Sequence, residues 1–152
     1  MWFWEKDPAP KSVTIEYFAV HGMADPIVFL LTHAKVEYKR VNVEQADFAK
    51  MKAEGKGGEF GSLPRVHIDG KEYGQTTAIL RSFGQRYGYY DASNMHCAAK
   101  CDVFVDAWAD LLKISGLTLK VVIGGTKKED LYGEFDKLAE TVFHPILAAL
   151  EK

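Results

Sequence analysis

This chain of 152 residues has few cysteines, nearly balanced charges and no long apolar runs. The formal net charge is −2, so charge gives no reason to expect binding to nucleic acid or to an anionic membrane surface. No apolar run approaches the roughly 20 residues that a membrane-spanning helix needs. The first residues also lack the basic segment and the apolar core of a signal peptide. We therefore predict no nucleic-acid partner and no transmembrane segment.

The two cysteines give little chemistry. Cys97 and Cys101 stand four residues apart on what the pattern predicts to be a helix, so they share one face. Two cysteines make no disulfide framework, and the other ligands of a metal site are missing around them. We interpret both as buried small apolar residues and predict no metal site. Free thiols favour a reducing compartment, either the cytoplasm or another intracellular compartment, including an organelle in which the chain belongs to a complex.

The first eleven residues have an unusual composition. Trp2, Phe3 and Trp4 precede a segment that is broken by Pro8 and Pro10. We interpret residues 1–11 as a short aromatic arm that docks either on its own chain or on a partner. The sequence does not distinguish between these two surfaces.

The stretch from Phe60 to Thr76 organises the rest of the chain. Pro64 cannot donate a hydrogen bond to a sheet, so it must lie at an edge or in a special turn, and in the cis form it would turn the backbone of Leu63 outward. Asp69-Gly70 is a strong hairpin signal, and Gln75-Thr76 opens a helix with hydroxyl side chains where the N-cap belongs. The stretch predicts either a cradle for a peptide-like ligand with a carboxylate or an ordinary hairpin followed by a helix.

The segment before this stretch predicts a strand, a helix and a second strand. Apolar residues alternate from Val13 to Phe18, Asp25-Pro26 begins a helix that ends near His33 to Lys35, and a strand follows through Tyr38 to Val43. A short helix from Phe48 to Glu54 leads into a glycine-rich loop at 55–59, which we expect to be flexible and which lacks the hydroxyl residue of a phosphate loop. With the hairpin and its helix, residues 12–87 form a thioredoxin-type α/β layout.

The second half predicts helices. After a linker at 88–93, a short all-α domain occupies residues 94–152. Its first helix starts at Ser93 or Asn94, and an apolar run at Val121 to Ile123 is the one short stretch that a strand could occupy. The last helix spans about Lys128 to Leu150, and Pro145 should bend or locally open it. The residues expected to face inward are Cys97, Cys101, Phe104, Val105, Trp108, Leu111 and Leu112 on the first helix, and Leu131, Phe135, Leu138, Val142, Ile146 and Leu150 on the last.

Several short motifs recur at defined spacings in the first half of the chain. The motifs are Tyr17-Phe18, Gly22, Ala24-Asp25-Pro26-Ile27, Gln45-Ala46-Asp47-Phe48, Phe60-Gly61-Ser62-Leu63-Pro64, Val66, Asp69-Gly70, Gln75-Thr76 and Ala78-Ile79-Leu80-Arg81. Together they resemble the glutathione-binding domain of the cytosolic glutathione transferases, and among these the tyrosine-type classes, sigma in particular. The resemblance covers Val13 to about Tyr87, and the segment from Cys101 to Asp110 is similar to the first helix of the family's helical domain.

The resemblance implies glutathione as cosubstrate or ligand and assigns a role to each matching residue. Tyr17 matches the tyrosine whose phenol bonds the glutathione sulfur, and a donor aimed at sulfur lowers the pKa of the thiol. Gln75 and Thr76 match the pair that holds the γ-glutamyl end, while Leu63, before Pro64, pairs its backbone with the cysteinyl part. Phe48 and Lys52 match positions that meet the glycyl carboxylate. Asp110 matches an acid that reaches the glutathione of a neighbouring subunit.

The chain also departs from the family pattern. Met23 stands where an arginine is common, and Phe48 replaces a tryptophan that would donate an indole N–H to the glycyl carboxylate. The sequence ends at Lys152, before the further helices of the family. We therefore expect an apolar face on the last helix that a homodimer or a larger complex would cover.

Two functions compete on these residues. The first is a compact glutathione transferase that binds reduced glutathione and activates its thiol for conjugation or isomerisation of a small electrophile. The second is a non-catalytic subunit that retains the same fold within a larger assembly. A thioredoxin-type redox protein is disfavoured, because no cysteine lies near the first helix.

Overall fold

The computed structural model describes residues 10–122 and 125–150, and the predicted aromatic arm lies almost wholly outside them. The chain forms two compact units, Met1–Ala98 and Ala99–Lys152. The first unit holds the strands β1 (Val13–Tyr17), β2 (Lys39–Asn42), β3 (Arg65–Ile68) and β4 (Lys71–Tyr73), and the helices α1 (Asp25–His33), α2 (Gln45–Ala53) and α3 (Thr76–Tyr87). Helix α4 (Met95–Val122) begins in this unit and continues into the second.

The four strands form one mixed sheet in the order β2-β1-β3-β4. Strand β1 pairs parallel with β2 and antiparallel with β3, which in turn pairs antiparallel with β4. At the hairpin, Asp69 and Gly70 have φ values of 50° and 81°, and a tight two-residue turn of this kind needs positive φ at both positions. The structure therefore confirms the predicted thioredoxin-type layout and its hairpin.

The hydrophobic core of the first unit lies on one face of the sheet. Alternation along β1 sends Val13, Ile15 and Tyr17 to this face, while Thr14 and Glu16 point to the other. Helices α1 and α3 cover the core face with side chains that recur at helical spacing. The buried core residues are Val13, Ile15, Tyr17, Ala24, Ile27, Leu31, Val66, Ile79 and Phe83.

The glycine-rich loop at 55–59 makes close contacts with β3 and β4, and the flexibility expected of it stays a prediction. The carbonyl oxygen of Lys56 accepts a hydrogen bond of 2.8 Å from Arg65 Nη1. Gly57 is buried, and a Cβ at Gly58 would lie 2.6 Å from Glu72 Oε1 and 2.8 Å from Arg65 Cδ. The glycines therefore allow the loop to pack closely against the polar face of the sheet.

Helix α4 starts as predicted, since the Asn94 side chain accepts a hydrogen bond of 3.1 Å from the Cys97 amide. Its predicted inner face is only partly covered. Cys97 is exposed, Cys101 is half-buried and Phe104 is 61% exposed, so the expectation that both cysteines and Phe104 are buried was wrong. Residue spacing defines the face of a helix but not what covers it. Val121 and Val122 are the last two residues of α4 and belong to no strand, and Ile123 lies outside the described residues.

The predicted last helix is divided into shorter helical segments. A 3-10 turn at Lys128–Leu131 leads into α5 (Tyr132–Leu138), and a π-helical turn at Ala139–Phe143 joins α5 to α6 (His144–Leu150). Pro145 lies two residues after the π turn and has no N–H to donate to Thr141, so the predicted local opening is confirmed. Leu131 is buried, whereas Tyr132, Phe143 and Leu147 are exposed.

Candidate functional site

Three chain segments meet at the edge of the sheet where β1 ends. Glu16 pairs with Arg65 at the start of β3, which places the Leu63-Pro64 turn beside the end of β1. Strand β4 runs antiparallel to β3, so its end and the following start of α3 lie at the same edge. The Thr76 hydroxyl donates a hydrogen bond of 3.1 Å to the Met23 carbonyl, which closes this edge.

Tyr17 is the last residue of β1, and it is 7% exposed. Its hydroxyl oxygen accepts a hydrogen bond of 3.1 Å from the Met23 amide. Gly22 lies against the same oxygen, since a Cβ at this position would approach it to 2.8 Å. Because the amide bond uses the oxygen of Tyr17 as an acceptor, the hydroxyl proton remains to be donated to a ligand atom.

The start of α3 differs from the sequence-based expectation. The N-cap residue is Gln75 rather than a hydroxyl residue; its φ is 64°, and its side chain makes no capping hydrogen bond. Thr76 is 4% exposed, and its hydroxyl donates to the Met23 carbonyl instead. The exposed Gln75 side chain and the backbone amides of the first helical turn are the donors left at this end.

The Leu63-Pro64 turn comes directly before β3 and contains a cis peptide bond. Pro64 is buried, and Leu63 is half-buried and packs against the core. The turn thus has the placement that the sequence suggested for Pro64.

Phe48 and Lys52 lie one turn apart on α2. The Phe48 ring is 6% exposed and packs edge-to-face on Phe18, with 5.7 Å between the ring centroids. The Lys52 ammonium nitrogen lies 5.1 Å from the centroid of the Phe48 ring. The Phe48 ring is uncharged and buried, whereas Lys52 is exposed, so only Lys52 of this pair can offer a charged group to a ligand.

Asp110 is an exposed residue of α4 and belongs to the second compact unit. The other predicted site residues, from Tyr17 to Thr76, belong to the first. Within the described residues, no group of three or more histidine, cysteine, aspartate or glutamate side chains is placed to hold a metal ion.

Sequence reasoning missed a charged cluster on the polar face of the sheet. Arg65 is 6% exposed and forms ion pairs with Glu16 and, at 3.5 Å, with Glu72. His67 Nε2 lies 3.3 Å from the other carboxylate oxygen of Glu16. Charged residues at alternating strand positions, with opposite sign on paired strands, were the signal that could have revealed this cluster.

A second set of missed residues surrounds the loop between Tyr17 and α1. The Asp25 carboxylate accepts hydrogen bonds from the Gly22 amide at 2.8 Å and from His21 Nδ1 at 3.1 Å. Arg40, on β2, donates to the carbonyl oxygens of Phe18 and Val20. Asp25 was predicted only as part of a helix start, and nothing in the sequence pairs it with Arg40.

Comparison with known proteins identifies relatives, although no family model matches the chain. Rat glutathione S-transferase alpha-5 is 32% identical over 103 residues, which are 67% of this chain and 46% of the relative. Glutathione S-transferase 2 of Manduca sexta is 37% identical over 79 residues, which are 52% of this chain and 36% of that protein. The chain thus spans less than half the length of these relatives.

Solved structures agree with these relatives. A monomeric glutathione S-transferase from the hookworm Necator americanus is 27% identical with a TM-score of 0.66, over 89% of this chain and 62% of that chain. In the described part of this chain, no helix is long and apolar enough to cross a membrane. The sequence relatives and the structural neighbour are all glutathione S-transferases, and the chain belongs to the cytosolic glutathione transferase family.

Proposed function

We propose that this chain binds reduced glutathione at the edge of the sheet and activates its thiol, as a tyrosine-type, sigma-like transferase. The observation that carries the proposal is the Tyr17 hydroxyl, which is held by the Met23 amide with its own proton left to donate. A phenol O–H that points at the sulfur stabilises the thiolate relative to the thiol. The thiolate sulfur then forms a bond to carbon of a small electrophile while a leaving group departs with the bonding electron pair, and the proton lost by the sulfur passes to solvent.

The two ends of the tripeptide meet different groups in this proposal. The γ-glutamyl end lies at Gln75 and Thr76, where the first amides of α3 and the positive end of its dipole favour a carboxylate. The Leu63 backbone pairs with the cysteinyl part, and Lys52 meets the glycyl carboxylate beside Phe48. Thr76 contributes an amide to the ligand while its hydroxyl holds Met23.

The alternative of a non-catalytic subunit is not favoured, because the relatives are named as transferases and the Tyr17 hydroxyl keeps a donor arrangement. Association of the chain into a homodimer or a larger complex, with Asp110 reaching a neighbouring subunit, remains a prediction. So do the cytoplasmic or organellar location and the docking of the Trp2-Phe3-Trp4 arm.

Calorimetric titration of reduced glutathione into the purified chain tests the binding proposal. We expect Gln75→Ala to weaken binding by about tenfold or more, because it removes a side-chain donor to a carboxylate. Lys52→Gln should weaken binding by about three- to tenfold through the loss of a partly screened charge.

Lys50→Gln is the matched control, since Lys50 is also exposed and lies in the last turn of the same helix. It should bind glutathione like the unmodified chain. A folded chain that takes up no glutathione, or equal losses in Lys50→Gln and Lys52→Gln, would contradict the proposed site.

A further inference from the structure

The loop at 18–24 connects Tyr17 to α1 and lies under the side chain of Arg40. Arg40 Nη2 donates to the Val20 carbonyl at 3.0 Å and to the Phe18 carbonyl at 3.3 Å. Strand register explains how the Arg40 side chain reaches these carbonyls. Arg40 pairs with Ile15 on the neighbouring parallel strand β1, two residues before β1 ends at Tyr17. One guanidinium thus holds two carbonyls of a segment that contains no regular secondary structure.

Asp25 holds the same loop from its other end. Its Oδ2 accepts the Gly22 amide at 2.8 Å, and its Oδ1 lies 3.7 Å from Arg40 Nη1. The Asp25 side chain is 15% exposed and that of Arg40 is 29% exposed, so water screens this pair less than a surface ion pair. His21 also contacts Asp25, but its side chain is 97% exposed.

The loop in turn fixes the Tyr17 hydroxyl. The Met23 amide donates to the hydroxyl oxygen, and Gly22 lies against the same atom. A shift of the loop would therefore change where the hydroxyl proton points, although within the described part of the chain neither Arg40 nor Asp25 forms a hydrogen bond or an ion pair with Tyr17.

We propose that Arg40, together with Asp25, is a positioning residue for Tyr17 that sets the direction of its hydroxyl through the loop at 18–24. This inference rests on the proposed function of Tyr17 as the donor to the glutathione sulfur. It assigns Arg40 to catalysis by way of the loop and gives it no contact with glutathione. The consequence is a loss of thiol activation without a matching loss of glutathione binding.

Amide hydrogen exchange in the free chain tests the structural step without any ligand. In Arg40→Met, the Gly22 and Met23 amides should exchange at least about tenfold faster, because the loop that presents them is released. Arg40→Lys should give an intermediate rate, since an ammonium cannot hold both carbonyls in the geometry of a guanidinium. Lys39→Met, at the exposed neighbouring position on β2, should leave both amides unchanged.

Steady-state conjugation of glutathione to 1-chloro-2,4-dinitrobenzene tests the functional step. Arg40→Met should lower kcat by about 10- to 100-fold, while the calorimetric Kd for glutathione changes by less than about twofold. Asp25→Asn keeps the shape of the side chain and should also lower kcat. It replaces Arg40→Met as the test variant if Arg40→Met does not fold.

The outcomes separate the two proposals. If the unmodified chain binds no glutathione, the proposed function fails, and the exchange rates alone decide whether Arg40 holds the loop. If glutathione binds but exchange at Gly22 and Met23 is unchanged in Arg40→Met, the positioning role is overturned. Parallel losses of kcat, glutathione affinity and thermal stability would also overturn it, because they would show a merely structural residue.

Discussion

At the residue scale, the backbone of Met23 connects the two ends of the proposed cradle. Its N–H donates to Tyr17 and its C=O accepts from Thr76, so one peptide segment fixes both side chains. Both bonds use only main-chain atoms of residue 23, so they do not depend on the methionine side chain. The motifs in the sequence could suggest Tyr17 and Thr76 as candidate residues. They could not show that the N–H and the C=O of Met23 bond one of these side chains each.

A buried hydroxyl elsewhere in the first unit gives a prediction about stability. The Tyr87 oxygen is buried without a hydrogen-bond partner among the described residues, and burial raises the pKa of this phenol while the charge of Arg86 lowers it. Tyr87→Phe should therefore raise the free energy of unfolding by up to about 1 kcal/mol, since the buried polar atom is removed. Urea denaturation at pH 7 measures the change.

Tyr38→Phe is the matched control for this prediction. Tyr38 also packs beside the core, but its hydroxyl lies 3.2 Å from Thr32 Oγ1. Removing a bonded hydroxyl should lower the free energy of unfolding by about 0.5 to 1.5 kcal/mol. Changes of the same sign in both variants would refute the assignment of Tyr87 as unsatisfied.

At the scale of elements, the loop at 55–59 makes contacts that its composition does not indicate. Glycine-rich polar sequence usually indicates flexibility, yet here Gly57 and Gly58 allow close approach to Lys52, Arg65 and Glu72. The contacts are made with the buried Arg65 and with Glu72 on paired strands, so they become visible only when β3 and β4 are placed side by side. Arg65 thus supports the loop that follows α2.

Substitution of two glycines in this loop separates steric fit from backbone conformation. Gly58→Ala would place a Cβ against Glu72 and the buried Arg65 side chain, and its φ is 82°. It should lower the free energy of unfolding by about 2 to 3 kcal/mol. Gly55→Ala has a similar φ of 71° and open space around the new Cβ, so it should cost only about 1 kcal/mol. Equal losses in thermal or urea unfolding would rule out the close packing at Gly58.

The segment that leads into α4 gives a prediction about pH. Hydrogen bonds from the Ser93 hydroxyl and amide hold the pKa of Asp91 below its usual value. A lowered folded-state pKa stabilises the protein above the unfolded pKa of about 3.9, and the contribution is lost as the pH falls through the folded value. Asp91→Asn should therefore lower Tm slightly at pH 7, and the difference should shrink as the pH approaches 3. Asp136→Asn, at an exposed carboxylate of α5, serves as control, and a deficit at Asp91 that persists at low pH would contradict this origin.

At the scale of the whole molecule, the sequence predicted most of the fold and part of the site. Strand alternation at Val13 to Tyr17 and the Asp69-Gly70 turn are local signals, and the structure confirms both. The burial of Cys97 and Phe104 was predicted wrongly, because spacing assigns a residue to a helix face without showing what lies against it. Arg40 and Arg65 bind residues that are distant in sequence, Val20 and Glu16 respectively, so no local pattern could assign these partners.

The central claim for the whole molecule is that Tyr17 activates the thiol of bound glutathione. The most direct measurement is the pH titration of the thiolate absorbance of glutathione bound to the unmodified chain and to Tyr17→Phe. One charge-assisted hydrogen bond contributes about 1.5 to 3 kcal/mol, so the thiol pKa should lie about 1 to 2 pH units below that of a free thiol, near 8.5, and return toward it in Tyr17→Phe. Glutathione that binds with the same thiol pKa in both proteins would contradict the claim.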